Sequence, residues 1–156
     1  MKPTDHHGAM HAGFRWQVPP DFNIAEACCA RWARATPDAV AIRQEHESGR
    51  REDFTYAQLQ GAANRLSQVL QGLGVARGDR VALWLPNVPA WLAAFFACAR
   101  LGAIAVSVNT RFRSHEVQDS LGRSGAKALV FWPGFRGIDF AGILGACDPA
   151  SLTGLA

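Results

Sequence analysis

Helices and strands alternate with sharp boundaries between Phe54 and Trp132, and this alternation constrains the fold more than any other feature of the sequence. Short apolar runs are separated by segments with helical spacing and by turns that contain glycine or proline. The three candidate core strands are Val81–Leu85, Ile104–Val108 and Lys127–Trp132. Strands that alternate with helices predict an α/β fold, with a largely parallel sheet, right-handed crossovers and flanking helices.

Capping residues predict where the helices begin and end. Thr55 and Gln58 have the spacing of a capping box, and Phe54 and Leu59 that of a hydrophobic staple. Pro89 suits the first turn of the next helix. Ser114 is expected to cap a later helix, with Glu116 in its first turn, and one more short helix is expected over Ile138–Ala146. Glycines are expected to end these helices, at Gly72 and Gly74, at Gly102, and at Gly122 and Gly125.

The first third of the chain divides into a tail and the start of the domain. Residues 1–13 are polar and predict a flexible tail, and residues 14–156 predict a partial α/β domain. Asn23 is expected to cap a helix that runs to about Ala35. Two strands, over Ala39–Arg43 and Arg51–Phe54, are expected to form a hairpin around the Ser48–Gly49 turn.

Composition excludes several classes of protein. The net charge of +3 comes with scattered arginines, which favours a solvated surface over a nucleic-acid interface. The longest apolar run, Ala90–Ala99, is far shorter than the roughly 20 residues that span a bilayer. Met1–His7 is polar and does not resemble a secretory signal. The cysteines show no zinc-ligand spacing, Cys98 is expected to be buried, and a reducing cytoplasm is the expected location.

Candidate chemical groups are few, and no catalytic, cofactor-binding or metal-binding residue is assigned. The glycines of Gly72–Gly78 follow a helix and precede a strand, which is the reverse of a dinucleotide fingerprint and favours a turn. Capping is favoured for Glu116, and a surface or packing role for His115. The residues for which a non-catalytic role is favoured are His6, His7 and His11 in the tail, Ser107 and Ser124, and Trp16, Trp32, Trp84, Trp91 and Trp132 in or beside the core.

The loop Asn109–Arg113 leaves two interpretations open. It follows the carboxyl end of a strand, where open α/β sheets place ligands, and two arginines there can meet a phosphate or carboxylate. The alternative, which is favoured, is that Asn109 supports the turn and that both arginines lie on the surface.

An ordered set of short motifs resembles the adenylate-forming, AMP-binding enzymes, and within them the acyl-CoA synthetases. These motifs are Phe14–Trp16, Phe22–Glu26, Phe54–Leu59, Gly74–Val75, Gly78–Ala82, Leu101–Ala103, Asn109–Arg113, His115–Val117 and Ser124–Lys127. The resemblance begins near Phe14 and implies the first part of the large N-terminal domain of such an enzyme. It also implies fatty acid metabolism as one setting for the activity.

The resemblance implies a reaction in which ATP, with Mg²⁺, activates a carboxylic acid as an acyl-adenylate before CoA forms the thioester. In the family, the phosphate loop, the adenine and ribose contacts and the late catalytic lysine follow the region that corresponds to this chain. ATP, Mg²⁺ and CoA are therefore implied for the full-length family and not expected to bind this chain tightly. The expected function is the N-terminal part of an acyl-CoA synthetase, inactive alone. The alternative is a non-catalytic interaction or ligand-binding module that associates through an exposed sheet edge.

Overall fold

The computed structural model describes residues 5–155. Its helices are α1 (His7–Gly13), α2 (Arg31–Ala35), α3 (Tyr56–Gly72), α4 (Pro89–Leu101), α5 (Ser114–Ser124) and α6 (Phe140–Gly145). Its strands are β1 (Val40–Glu45), β2 (Arg51–Thr55), β3 (Arg80–Trp84), β4 (Ile104–Ser107), β5 (Ala128–Phe131), β6 (Gly134–Phe135) and β7 (Ile138–Asp139). A π-helical turn, Glu26–Ala30, runs directly into α2, and a 3₁₀ turn, Pro149–Ser151, follows α6.

The central sheet has three parallel strands in the order β4-β3-β5, which confirms the predicted parallel α/β architecture. Val81 in β3 pairs with Ala105 on one side and with Ala128 on the other. Two antiparallel hairpins accompany this sheet: β1 pairs with β2, as predicted, and β6 pairs with β7.

Strand β3 is buried on both faces because successive side chains point to opposite sides of the sheet. Val81 and Leu83 pack in one apolar cluster that includes residues of α3 and α4. Ala82 and Trp84 pack in a second cluster that includes residues of α5 and α6. All four side chains have no exposed surface. The continuous apolar run predicted this arrangement, since a strand covered on both sides has no polar face.

The helical segment that continues into α2 begins where Asn23 predicts. The Asn23 side-chain oxygen accepts hydrogen bonds from the backbone N–H of Ala25, at 2.9 Å, and of Glu26, at 3.3 Å. The Asn23 amide also donates to the Ala99 carbonyl, at 2.7 Å, which ties this segment to α4. Ala25 and Cys29 are buried in a third apolar cluster with residues of α3 and α4.

The predicted capping box of α3 is present. The Thr55 hydroxyl accepts from the Gln58 N–H at 3.3 Å, and the Gln58 side chain accepts from the Thr55 N–H at 2.8 Å. Pro89 stands in the first turn of α4, and Gly102, with φ 67°, ends that helix in the left-handed conformation. Both helix boundaries were therefore predicted correctly.

Substitution of the cap gives a first prediction. Thr55→Ala removes an acceptor for one N–H at the start of α3, and we expect a loss of about 1 kcal/mol in the free energy of unfolding. Thr55→Ser keeps the acceptor and is expected to lose much less. Urea unfolding followed by far-UV circular dichroism measures both variants. Equal stability of the two variants would mean that the hydroxyl does not cap the helix.

Four sequence expectations need correction. The cap of α5 is Arg113, not Ser114: the Arg113 N–H donates to the Glu116 carboxylate at 2.8 Å, and Ser114 is the first helical residue. Gly122 lies inside α5, and Gly125 alone ends it. The segment predicted as one helix over Ile138–Ala146 begins as strand β7, because Ile138 pairs back on β6. Of the tryptophans expected in the core, three are at least 40% exposed: Trp16, Trp32 and Trp132.

The N-terminal residues are only partly within the described range. Residues His7–Gly13 form α1, and none of its residues is buried. The expectation of a flexible tail over 1–13 stays a prediction, and its first four residues lie outside the described residues. None of the helices within residues 5–155 combines the length and apolar character needed to cross a membrane.

Candidate functional site

A groove lies at the carboxyl ends of the central strands, the edge at which open parallel sheets bind ligands. It consists of two adjoining clefts, of about 580 Å³ and about 380 Å³. Both clefts are lined by Gln44, Glu45, Asn87 and Val88. Asn87 and Val88 directly follow the central strand β3 and the buried Leu85 and Pro86. The groove therefore lies just beyond the carboxyl end of the central strand, which is where parallel sheets usually bind ligands.

The larger cleft is polar, and its lining comes from four separated parts of the chain. The β1–β2 turn contributes His46 and Glu47, the segment after β3 contributes Asn87, the segment after β4 contributes Thr110, and the β6–β7 turn contributes Arg136. Arg136 forms an ion pair with Glu47, and both residues line this cleft. The pair joins two hairpins that are 89 residues apart in sequence. Both side chains are largely exposed, so the pair orients the hairpins more than it stabilises the fold.

Arg136 has a backbone conformation that few side chains adopt. Phe135 pairs with Ile138, which leaves Arg136 and Gly137 as a two-residue loop. Their φ angles are 49° and 76°, so both residues are left-handed, as a type I′ hairpin turn requires. Arginine at such a position costs about 1–2 kcal/mol relative to glycine. This turn places the backbone of Arg136 beside the groove, so that the residue lines the polar cleft.

The smaller cleft is more apolar. Ile42, Trp91 and Leu92 line it, and Arg43 lies at its side. Trp91 stacks on Phe95 one turn along α4, with ring centroids 5.7 Å apart. The Arg43 guanidinium is held by both oxygens of Asp53 at 2.7 Å, an exposed bidentate pair on the β1–β2 hairpin. The groove as a whole is therefore amphipathic, with a polar half and an apolar half.

The loop Asn109–Arg113 borders the groove through one residue. Thr110 lines the polar cleft, whereas Arg111 and Arg113 are exposed and do not line it. The Asn109 side chain accepts from the Arg111 N–H at 2.9 Å, and the Asn109 carbonyl accepts from Trp84 Nε1 at 3.1 Å. These contacts support the interpretation that Asn109 holds the turn. The structure does not bring the two arginines together in a binding site.

A second prediction tests this role of Asn109. Asn109→Ala removes the acceptor that closes the turn, and we expect a loss of about 0.5–1.5 kcal/mol in the free energy of unfolding. Asn109→Asp keeps an acceptor oxygen and is the matched control. Chemical unfolding of both proteins gives the difference. An alanine variant as stable as the aspartate variant would contradict a structural role for this side chain.

The amino ends of the strands carry a separate, structural cluster. Asp79 accepts from the Ala76 N–H at 2.8 Å and from Lys127 Nζ at 2.9 Å. These two bonds, the backbone one first, hold the pKa of Asp79 below its ordinary value of 3.8. Lys127 also donates to the Gly74 carbonyl. The glycine-rich segment before β3 is therefore a turn, as the sequence favoured. Lys127, just before β5, links this turn to the start of that strand.

Other reactive groups lie outside the groove. Burial raises the pKa of the Cys98 thiol to about 11, so this thiol is protonated at neutral pH. Cys98 is 1% exposed, which confirms the prediction that it is buried. His7 and His11 stack with centroids 5.9 Å apart. Within residues 5–155 there is no group of three or more His, Cys, Asp or Glu side chains arranged to hold a metal ion.

A parallel sheet with helices on both faces and an amphipathic groove at its carboxyl edge defines an α/β domain with a candidate ligand site. Comparison with known proteins gives the family. Residues 29–151 match the model of the AMP-binding enzyme family, and the chain belongs to that family.

The relatives are enzymes that join acids to CoA. The chain is 47% identical over 78 residues to the long-chain-fatty-acid–CoA ligase FadD13 of Mycobacterium tuberculosis, a match that covers 50% of this chain and 16% of the ligase. It is 35% identical over 117 residues to the mitochondrial medium-chain acyl-CoA ligase ACSF2 of Bos taurus, covering 75% of this chain and 18% of the ligase. These matches confirm the resemblance to acyl-CoA synthetases.

A solved structure gives the same assignment for the fold. The N-terminal domain of FACL13 from Mycobacterium tuberculosis matches with a TM-score of 0.61 and 37% identity, over 71% of this chain and 27% of that domain chain. The chain therefore corresponds to an N-terminal region and spans between 16% and 27% of the length of these proteins.

Sequence reasoning did not identify most residues of the groove. Arg136 and Glu47 are 89 positions apart, and neither belongs to a recognisable motif. Asn87 belongs to no motif, and the sequence shows only that it follows the apolar run Val81–Leu85. The available signal was position: polar residues that directly follow parallel strands collect at one edge of the sheet. Applied to Asn87 as well as to Asn109, this rule would have located the groove.

Proposed function

We propose that this chain forms the N-terminal part of an ATP-dependent acyl-CoA synthetase, which converts a carboxylic acid, ATP and CoA into an acyl-CoA through an acyl-adenylate. The observation that carries the proposal is the family match over residues 29–151, together with relatives named as acid–CoA ligases. A setting in fatty acid metabolism is supported by the relatives' names.

The groove is the part of this chain that we assign to the reactants. Adenylation turns a carboxylate into an activated acyl group, and positive charge and N–H donors must stabilise the phosphate that is transferred. An amphipathic groove suits a molecule with a polar head and an apolar tail. Ile42, Trp91 and Leu92 supply the apolar half, while Thr110 and Asn87 supply hydrogen-bonding groups beside it.

The described residues of the groove do not fit a triphosphate with Mg²⁺ by themselves. Two carboxylates, Glu45 and Glu47, line the polar cleft, and its arginine, Arg136, is already paired with Glu47. A polyanion there would meet two carboxylates and only one arginine, which is already paired, so these residues alone do not hold ATP. We propose that the 156-residue polypeptide is inactive alone and that further parts of the family domain supply the phosphate contacts.

The proposal includes a cytoplasmic location. Its support is the state of the cysteines: Cys28, Cys29, Cys98 and Cys147 are all free thiols. Free thiols, three of them buried, suit a reducing compartment.

A domain exchange tests the proposed function. The segment of FadD13 that aligns with this chain is replaced by the corresponding segment of this chain, and acyl-CoA formation is measured with ATP, Mg²⁺, CoA and a panel of carboxylic acids. We expect the chimaera to form acyl-CoA. A chimaera that folds, as judged by circular dichroism, but forms neither acyl-adenylate nor acyl-CoA would overturn the proposal.

The isolated chain provides the second arm of this test. With the same reagents, the 156-residue polypeptide is expected to release no pyrophosphate above the buffer blank. Robust turnover by the isolated chain would contradict its proposed inactivity while leaving the ligase chemistry intact. The native FadD13 enzyme serves as the positive control for the assay.

A further inference from the structure

Helix α1 carries two histidines that are one turn apart. His7 and His11 occupy positions i and i+4, which place two side chains next to each other on one face of a helix. Their rings lie with centroids 5.9 Å apart and planes 20° from parallel. Both residues are exposed, and none of the residues of α1 is buried. The two imidazoles are therefore accessible to ions in the solvent.

The spacing of the two rings suits a shared metal ion. Zinc holds imidazole nitrogens at about 2.0–2.1 Å, so the centroids of two rings on one tetrahedral ion lie roughly 5 Å apart. A small rotation of the two exposed side chains closes the remaining difference. Imidazole is a preferred ligand of Zn²⁺, Ni²⁺ and Cu²⁺, whereas Mg²⁺ and Ca²⁺ prefer oxygen ligands. The pair therefore favours transition-metal cations.

Two hydrogen bonds fix the backbone that carries the pair. The Asp5 carboxylate accepts from the His7 N–H at 2.9 Å, and the His6 carbonyl accepts from the Met10 N–H at 3.0 Å. The first bond satisfies an N–H at the start of α1, and the second closes the first turn of the helix. Because the backbone from His7 to His11 is helical, the two imidazoles meet without the closure of a flexible loop.

We propose that His7 and His11 form a two-ligand site for a divalent first-row transition cation such as zinc. Water completes the coordination, since within residues 5–155 no group of three or more His, Cys, Asp or Glu side chains is arranged to hold a metal. An ion that joins the two rings ties successive turns of α1 together, so metal binding stabilises this helix. The proposal does not depend on the proposed function.

Calorimetric titration of the 156-residue chain with Zn²⁺ alone tests the site. All proteins carry Cys28→Ser, which removes the exposed thiol as a competing ligand. His7→Ala and His11→Ala each remove one ligand of the pair. His6→Ala is the matched control, because His6 belongs to the same segment but lies five positions from His11, on another face of the helix.

We expect the Cys28→Ser parent and its His6→Ala variant to bind zinc with similar affinity. The His7→Ala and His11→Ala variants are expected to bind at least about tenfold more weakly, because the second imidazole otherwise binds an ion that is already held nearby. Circular dichroism establishes that the variants fold, which we expect because no residue of α1 is buried. Imidazole proton resonances of both His7 and His11 are expected to shift on zinc addition.

A second pair of variants tests whether the helix, and not the histidines alone, forms the site. Met10→Pro deletes the N–H that donates to the His6 carbonyl, while both ligands remain. Met10→Ala keeps this N–H and favours the helix. We expect the proline variant to bind zinc at least about tenfold more weakly than the alanine variant. Gly8→Ala, where a Cβ meets nothing within 4 Å, is expected to tighten binding about two- to fivefold.

Three results would overturn the proposal. They are the absence of zinc binding by the Cys28→Ser parent, a loss of affinity for His6→Ala as large as that for His7→Ala, and equal affinity of the proline and alanine variants at Met10. The second or third result would mean that a flexible run of histidines collects the ion. Because ATP, acid and CoA are absent, these outcomes are independent of acyl-CoA formation by the chimaera, which tests the proposed function.

Discussion

Trp84→Ala is expected to cost about 3–5 kcal/mol in the free energy of unfolding, the largest effect of any single substitution considered for this chain. Trp84 has no exposed surface and lies between the sheet and α6. Its ring stacks on Phe140 with centroids 4.3 Å apart and planes 7° from parallel. Removal of the indole leaves a cavity and deletes the hydrogen bond to the Asn109 carbonyl.

Two companion variants make this result interpretable. Trp84→Phe keeps most of the ring volume, and we expect it to lose about 1–3 kcal/mol because the partly buried hydrogen bond to the Asn109 carbonyl is gone. Trp132→Ala removes a tryptophan that is 40% exposed, and its expected loss is below about 1 kcal/mol. Urea unfolding measures all three. A similar loss for Trp84→Ala and Trp132→Ala would show that Trp84 is not the centre of this core.

Gly125→Ala is expected to destabilise the chain by about 2–3 kcal/mol. Gly125 ends α5 with φ 57°, a conformation that costs a residue with a Cβ about 1–2 kcal/mol. A Cβ there would also stand 2.8 Å from Arg80 Nη2. That nitrogen donates to the Gly125 carbonyl at 2.9 Å, so the substitution also displaces the arginine that caps the end of α5.

Gly72→Ala is the matched control for this prediction. Gly72 is the last residue of α3, and a Cβ at this position meets nothing within 4 Å. Alanine there is expected to leave stability unchanged or to raise it by up to about 1 kcal/mol, because it restricts the unfolded chain. Thermal unfolding compares the two variants. Comparable losses at both glycines would contradict the role assigned to the left-handed conformation and to Arg80.

The fold was largely predictable because local signals agreed with the tertiary arrangement. The apolar run at Val81–Leu85 predicted a strand buried on both faces, and the Thr55–Gln58 box predicted the start of α3. The errors occurred where pairing with a neighbouring segment, or exposure in the folded chain, overrides the apolar pattern. Ile138 forms a strand because Phe135 pairs with it, and Trp132 is exposed although its neighbours are apolar.

The groove was much less predictable than the fold. Its polar cleft depends on a turn after β1, the end of β3, the loop after β4 and the β6–β7 hairpin, which meet only in three dimensions. The positive φ of Arg136 could not be anticipated, since arginine carries no preference for that conformation. Conversely, the two arginines of Asn109–Arg113 were compatible with an anion site. In the structure both side chains are exposed and neither lines the polar cleft.

The arrangement of the central strands can be measured directly by nuclear Overhauser contacts between backbone protons of the isotopically labelled chain. We expect Val81 to contact both Ala105 and Ala128, in a parallel register that continues from Leu83 to Ser107 and Val130. Antiparallel contacts among these three strands, or a pattern of helical contacts only, would contradict the assignment of this chain to the N-terminal region of an AMP-binding enzyme.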